Sequence, residues 1–183
     1  MSVFEIIDGG AVVISRNSNV TFENCKFLNN DSILCAGAIS NQSKGVIKVV
    51  NCLFKNNSAG HTGSAIDNLI SNSHMIVRNC RFINNVSNAW HIVGYPHGQI
   101  SSFPNTTLRI ENSTFQNGSI PFDTAKNVKL YLYNNQYEGF GNWNEHKPTN
   151  RIYPLLQFTK FYPKMFWVIP KTIGRVYYRI NKR

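Results

Sequence analysis

The carboxylates that could serve as acid and base in the body of this chain are Asp8, Glu23, Asp31, Asp67, Glu111, Asp123 and Glu138. Glycoside hydrolysis needs two of them on one face, about 5 to 10 Å apart, and a calcium-assisted lyase needs a carboxylate cluster beside a basic residue. Neither pattern is legible. No two of these acids recur at one position of neighbouring repeats, and Asp31 and Asp67 fall at different points of the repeat described below. No Ser/His/Asp order, phosphate-binding glycine loop or zinc spacing rises above chance. The four cysteines contain no CxxC, and His91 and His97 are two imidazoles without a third ligand. This inventory points away from a catalyst, a metal centre or a cofactor and towards recognition. Trp90, His91, Tyr95, His97 and Phe103 crowd one stretch with Pro96 and Pro104, and they are the candidate binding residues.

What must position them is a repeat. Asn24-Cys25-Lys26-Phe27-Leu28-Asn29-Asn30 recurs as Asn51-Cys52-Leu53-Phe54-Lys55-Asn56-Asn57 and as Asn79-Cys80-Arg81-Phe82-Ile83-Asn84-Asn85. A worn fourth copy reads Asn112-Ser113-Thr114-Phe115-Gln116-Asn117, and a weaker fifth reads Asn134-Asn135-Gln136-Tyr137. Four and two residues ahead of each leading Asn stand apolar pairs: Val20 and Phe22, Ile47 and Val49, Met75 and Val77, Leu108 and Ile110, Leu130 and Leu132. Apolar residues two apart mark a strand with one face buried. Beyond the Asn the inward phase jumps by one, to Cys25 and Phe27 and their equivalents, which marks a corner. Asn suits that corner because it tolerates left-handed backbone, and stacked copies can form an amide ladder. A third side begins at Gly10-Ala11-Val12, Gly37-Ala38-Ile39 and Ser64-Ala65-Ile66.

Three short strands per turn, repeated in register, predict an all-β fold: a right-handed parallel β-helix, or solenoid, of about five coils. The first three coils span residues 9–35, 36–62 and 63–90. The step from Asn79 to Asn112 then lengthens to 33 residues, and the excess is the aromatic stretch, a loop where repeat proteins often place contacts. Cys25, Cys52 and Cys80 share one repeat position, so they are expected as a ladder of buried thiols rather than as disulfides. Outward positions such as Thr21, Lys48, Arg78, Arg109 and Lys129 suit hydrogen bonding to sugars or solvent. Asn-X-Ser/Thr sequons begin at Asn19, Asn30, Asn41, Asn56, Asn85, Asn105, Asn112 and Asn117, of which Asn112 is expected to be shielded at its corner.

The net charge of +10 is unevenly shared. Residues 1–139, the repeat domain, hold ten Lys or Arg against eight Asp or Glu, whereas residues 140–183 hold nine against one. Basicity therefore belongs to a tail and not to the coils, which disfavours nucleic acid as a partner of the repeat domain. The tail interleaves aromatics with basic residues and is broken by Pro154, Pro163 and Pro170. It is expected to cap the last coil through Leu155, Leu156, Phe158, Phe166 and Trp167, with its cationic end available to an anionic surface. The longest apolar run, Met165–Ile169, is too short to span a bilayer. No charged n-region, apolar run and cleavage site precede Gly9-Gly10-Ala11, and the direct entry into a repeat suggests a piece of a longer secreted protein.

Gly-Gly-Ala at a coil start (Gly9-Gly10-Ala11, with Ala36-Gly37-Ala38 and Gly63-Ser64-Ala65 as variants) and Phe-x-x-Asn (Phe27 to Asn30, Phe54 to Asn57, Phe82 to Asn85) resemble the repeats of polymorphic outer membrane proteins. They are equally similar to the adhesin-like β-helix proteins of methanogenic archaea. The resemblance implies an extracellular or cell-surface passenger that binds a glycan or a cell-surface protein, and the family brings no catalytic residues. Parallel β-helices also include pectin-degrading enzymes, so a pectate lyase-like or polygalacturonase-like activity is the rival reading.

Overall fold

The structure, a computed structural model, describes residues 9–88 and 97–141. Among the described residues every regular element is a β-strand. Strands are numbered along the chain. One sheet stacks β1 (Val12–Arg16), β5 (Ile39–Ser43), β9 (Ile66–Asn68), β12 (Ile100–Ser102) and β15 (Phe122–Thr124). A second stacks β2 (Val20–Glu23), β6 (Val46–Val50), β10 (His74–Arg78), β13 (Thr107–Glu111) and β16 (Lys129–Tyr133). The third holds β3 (Lys26–Leu28), β7 (Leu53–Lys55), β11 (Arg81–Ser87), β14 (Thr114–Gly118) and β17 (Gln136–Glu138), and the short β4 (Asp31–Ser32) and β8 (Ser58–Ala59) pair in line with the end of β11. All pairings are parallel, and each circuit of the chain adds one strand to each sheet. The architecture is therefore an all-β parallel solenoid, as the repeat spacing predicts.

The register follows the apolar pairs. Val20, Ile47, Met75, Leu108 and Leu130 are direct neighbours across the second sheet, as are Phe22, Val49, Val77, Ile110 and Leu132. On the third sheet Phe27, Phe54, Phe82 and Phe115 stack with centroids 4.7, 4.8 and 4.7 Å apart and nearly parallel rings. That is the strand spacing itself, so each ring rests on the equivalent ring of the next circuit. The leading Asn of every copy is left-handed, with φ of 55° at Asn24, 53° at Asn51, 54° at Asn79, 47° at Asn112 and 51° at Asn134. These are the corners that the phase jump requires. At the third side the backbones approach closely: a Cβ on Gly37 would run into the carbonyl oxygens of Ser64 and Ser58, while Ala38 and Ala65 are fully buried.

A second set of corners lies five residues further on, with φ of 54° at Asn29, 55° at Asn56, 52° at Asn84 and 50° at Asn117. The following residue turns inward. Asn57 Oδ1 accepts from the backbone N and Nδ2 of Asn30, and Asn85 Oδ1 accepts from the same two groups of Asn57. This ladder, not the leading Asn, is the buried one. The leading residues make a looser exposed rung, Asn79 Nδ2 to Asn51 Oδ1 at 3.2 Å. In the next circuit the register partner of Asn85 is Gly118, which has no side chain. The buried side chain of Gln99 fills the gap: its Oε1 accepts from Asn85 Nδ2 at 2.9 Å, and its Nε2 donates to Asn117 O at 2.7 Å.

At both ends of the described stack the inward side chains, Val20, Phe22 and Cys25 at one and Leu130, Leu132 and Tyr137 at the other, are only partly covered. The expected cap, with Leu155, Leu156, Phe158, Phe166 and Trp167, lies outside the described residues, as do residues 1–8.

Candidate functional site

Two places concentrate chemistry. The first is the outward row of the first sheet, Val13, Ser40, Asp67, Ser101 and Asp123. Outward residues of a solenoid ordinarily meet solvent, yet Ser40, Asp67 and Ser101 are fully buried and Asp123 is 2% exposed. The segments that precede β5, β9 and β12 fold back over them and stack on one another through Gly37 N to Gly63 O and Ser64 N to Gly98 O. Thr62 Oγ1 donates to Asp67 Oδ2 at 2.5 Å, Gly63 N to Ser101 Oγ at 2.8 Å, and His97 N to Asp123 Oδ2 at 3.1 Å. His97 Nδ1 lies 2.9 Å from the carbonyl of His61, which can only accept, so Nδ1 carries the proton. Burial, and then the neighbouring His97, hold the His61 imidazole below its ordinary value.

Asp67 and Asp123 thus share a row two strand spacings apart, about 9.6 Å. The sequence concealed this, because the circuits between them are irregular: 34 residues separate Asp67 from Ser101 and 22 separate Ser101 from Asp123. The separation is near that of inverting hydrolases, but an acid and a base must reach substrate and water. Here both carboxylates are engaged by the roof that covers them, and what they do as placed is to tie those segments to the sheet.

The second place is the outer face of the second sheet, which is open. One outward row reads Thr21, Lys48, Ile76, Arg109, Tyr131; the next reads Glu23, Val50, Arg78, Glu111, Tyr133; a third carries Val46, His74, Thr107 and Lys129. Thr21, Lys48, Arg78, Arg109 and Lys129 all face outward as expected, but on three rows. Glu111 is 7% exposed and is held from two sides, by Arg78 Nε at 2.6 Å and by the Arg109 guanidinium. The hydrogen bond from Arg78, followed by the bond and charge of Arg109, holds the Glu111 carboxyl below its ordinary value against the opposing effect of burial. Arg109 also lies 4.9 Å from the centroid of Tyr133. Tyr131 and Tyr133 are 44% and 47% exposed and, two residues apart on one strand, leave the sheet on the same outer face.

The lowered Glu111 pKa carries a sign. Its pairing stabilises the fold above the unfolded carboxyl pKa and is lost as pH falls through the lowered folded value. Glu111→Gln is therefore expected to lose less stability than the parent between pH 7 and pH 3 in urea titrations. An equal loss in both would show that the pair contributes nothing.

Of the residues expected to form the recognition loop, Trp90, His91 and Tyr95 lie outside the described residues. His97 is half-buried with its ring on the carbonyl of His61. Phe103 is 4% exposed and stands outside the apolar cluster that lines the coil. The residues missed were Tyr131, Tyr133 and Glu111, whose signal was their i, i+2 spacing on the outward phase of β13 and β16. Among the sequons, Asn41 and Asn85 are fully buried, whereas Asn112, expected to be shielded, is exposed. Among the described residues no group of three or more His, Cys, Asp or Glu is arranged to hold a metal, and no helix is long and apolar enough to cross a membrane. No protein-family model matches the chain, and neither does any curated protein or solved structure at the similarity required.

Proposed function

We propose that the chain is a right-handed parallel β-helix of about five coils that works as a non-catalytic, adhesin-like interaction module at a cell surface or outside the cell, with a glycan or a cell-surface protein as partner. The observation that carries this reading is the open face of the second sheet: Tyr131 and Tyr133 exposed on one strand face, with Arg109 over the Tyr133 ring and Arg78 and Arg109 both held by Glu111. An exposed aromatic pair stacks on the apolar face of a pyranose, while a guanidinium and carboxylate held in place donate to and accept from its hydroxyls at little further cost in side-chain entropy. Packing occupies the inward positions, and the buried acids of the first sheet are spent on the roof above them. The cationic tail is a second contact, for an anionic surface.

A glycan array probed with the folded chain tests the reading. Replacing both tyrosines (Tyr131→Ala with Tyr133→Ala) is expected to lower affinity for any retained glycan by about 10- to 100-fold, from ~0.5–1.5 kcal/mol per aromatic contact. Lys55→Ala, on the exposed face of the third sheet, should leave binding unchanged. A folded sample that stays blank across neutral and acidic glycans refutes the sugar reading.

A further inference from the structure

Cys25, Cys52 and Cys80 occupy one register position, since Leu53 N donates to Cys25 O and Arg81 N to Cys52 O, both at 2.9 Å. Their thiols also point the same way. Each donates to the carbonyl two residues upstream: Cys25 to Glu23 at 3.3 Å, Cys52 to Val50 at 3.1 Å, Cys80 to Arg78 at 3.2 Å. Like side chains in like orientations on stacked strands repeat at the strand spacing, as the phenylalanines two residues further on do at 4.7 to 4.8 Å. Neighbouring sulfurs therefore stand about 4.8 Å apart. Side chains so placed are too far apart for a disulfide, whose Cβ atoms approach to about 3.8 Å, and all three thiols are free. An ion midway would lie about 2.4 Å from each sulfur, close to a metal–thiolate bond of about 2.3 Å. No group of described residues completes a tetrahedral set around it. Two thiolates in line suit instead a soft cation that accepts two-coordinate geometry.

We propose that Cys25 and Cys52 bind one soft, two-coordinate cation of the monovalent copper or silver class, held in line between their thiolates along the stacking direction. Cys25 is partly exposed at the first circuit and provides the entry, whereas Cys52 and Cys80 are 2% and 1% exposed. Binding breaks two S–H bonds, forms two sulfur–metal bonds and releases two protons to solvent, with no change of oxidation state. Burial first, and the adjacent thiol after it, raise Cys52 above the ordinary cysteine value and Cys80 to about 12. Protons therefore compete with the ion, and affinity rises with pH.

The test is calorimetric titration of the full chain with silver(I) in chloride-free buffers of differing ionisation enthalpy, which counts the protons released. Two protons per ion are expected. Cys52→Ser should weaken binding at least 100-fold, because it leaves Cys25 and Cys80 about 9.6 Å apart, while Cys35→Ser should change nothing. Ser113 shows that serine fits this position: it accepts from Cys80 N at 3.1 Å and donates to Glu111 O at 2.9 Å. Release of one proton per ion, full binding by Cys52→Ser, or loss in Cys35→Ser would each overturn the site. X-ray absorption of the silver-loaded parent is an independent check that needs no variant to fold. Two sulfurs at about 2.4 Å support the pair, and a single sulfur refutes it.

Discussion

Phe54→Ala is expected to destabilise the chain by about 3 to 5 kcal/mol. Phe54 is fully buried, with Phe27 stacked on one side at 4.7 Å and Phe82 on the other at 4.8 Å. Truncation removes the apolar area of the ring and two aromatic contacts, and leaves a void bounded by rings that are tied to the strand spacing. Neither neighbour can slide in to fill it without breaking the ladder of hydrogen bonds on which its own strand sits. Urea unfolding followed by tryptophan-independent circular dichroism reads the loss. A change below about 1 kcal/mol, the average for any point substitution, would mean that the phenylalanine register is wrong. Leu130, at the partly covered end of the stack, should cost less on the same truncation because less of it is buried.

Asn57→Leu should cost about 2 to 6 kcal/mol from the two backbone groups alone that each lose a partner worth about 1 to 3 kcal/mol, besides the side-chain rungs to Asn30 and Asn85. The Asn57 amide accepts from Asn30 N at 3.1 Å and donates to Phe27 O at 3.0 Å, and neither bond survives in leucine. The backbone of Asn57 is not left-handed, so the loss reports hydrogen bonding rather than strain. Its neighbour Asn56 has the opposite assignment. That side chain is exposed, and its φ of 55° is what the corner requires. Asn56→Gly should therefore be nearly neutral, since glycine adopts positive φ without steric cost. The contrast between adjacent asparagines is the diagnostic: equal costs at 56 and 57 would refute the division of labour between corner and ladder.

The candidate face was legible only in part. Outward alternation placed Lys48, Arg78 and Arg109 on the surface of the second sheet, because period-two patterning assigns a face to every residue of a strand. It does not say which residues of different strands share a row. Arg78 meets Glu111 across a 33-residue circuit, and Arg109 reaches the same acid within its own strand, a convergence that no spacing in the chain announces. Phe103 follows neither pattern: it is 4% exposed yet stands outside the apolar cluster that lines the coil, so alternation alone does not place it.

What the sequence by itself determined is the circuit: where each strand lies, which side chains point inward and where the chain turns. These are local consequences of alternation and of asparagine's tolerance of positive φ, and they repeat because the copies repeat. The tertiary structure alone decided how irregular circuits are reconciled. Gln99 reaches into the place left by Gly118, and Asp67 and Asp123 fall in one row under a roof of backbone although 56 residues separate them. The physical reason is that stacking conserves distance along the solenoid, not along the chain. A strand spacing of about 4.8 Å is imposed on every circuit whatever its length, so residues far apart in the chain come to share a row.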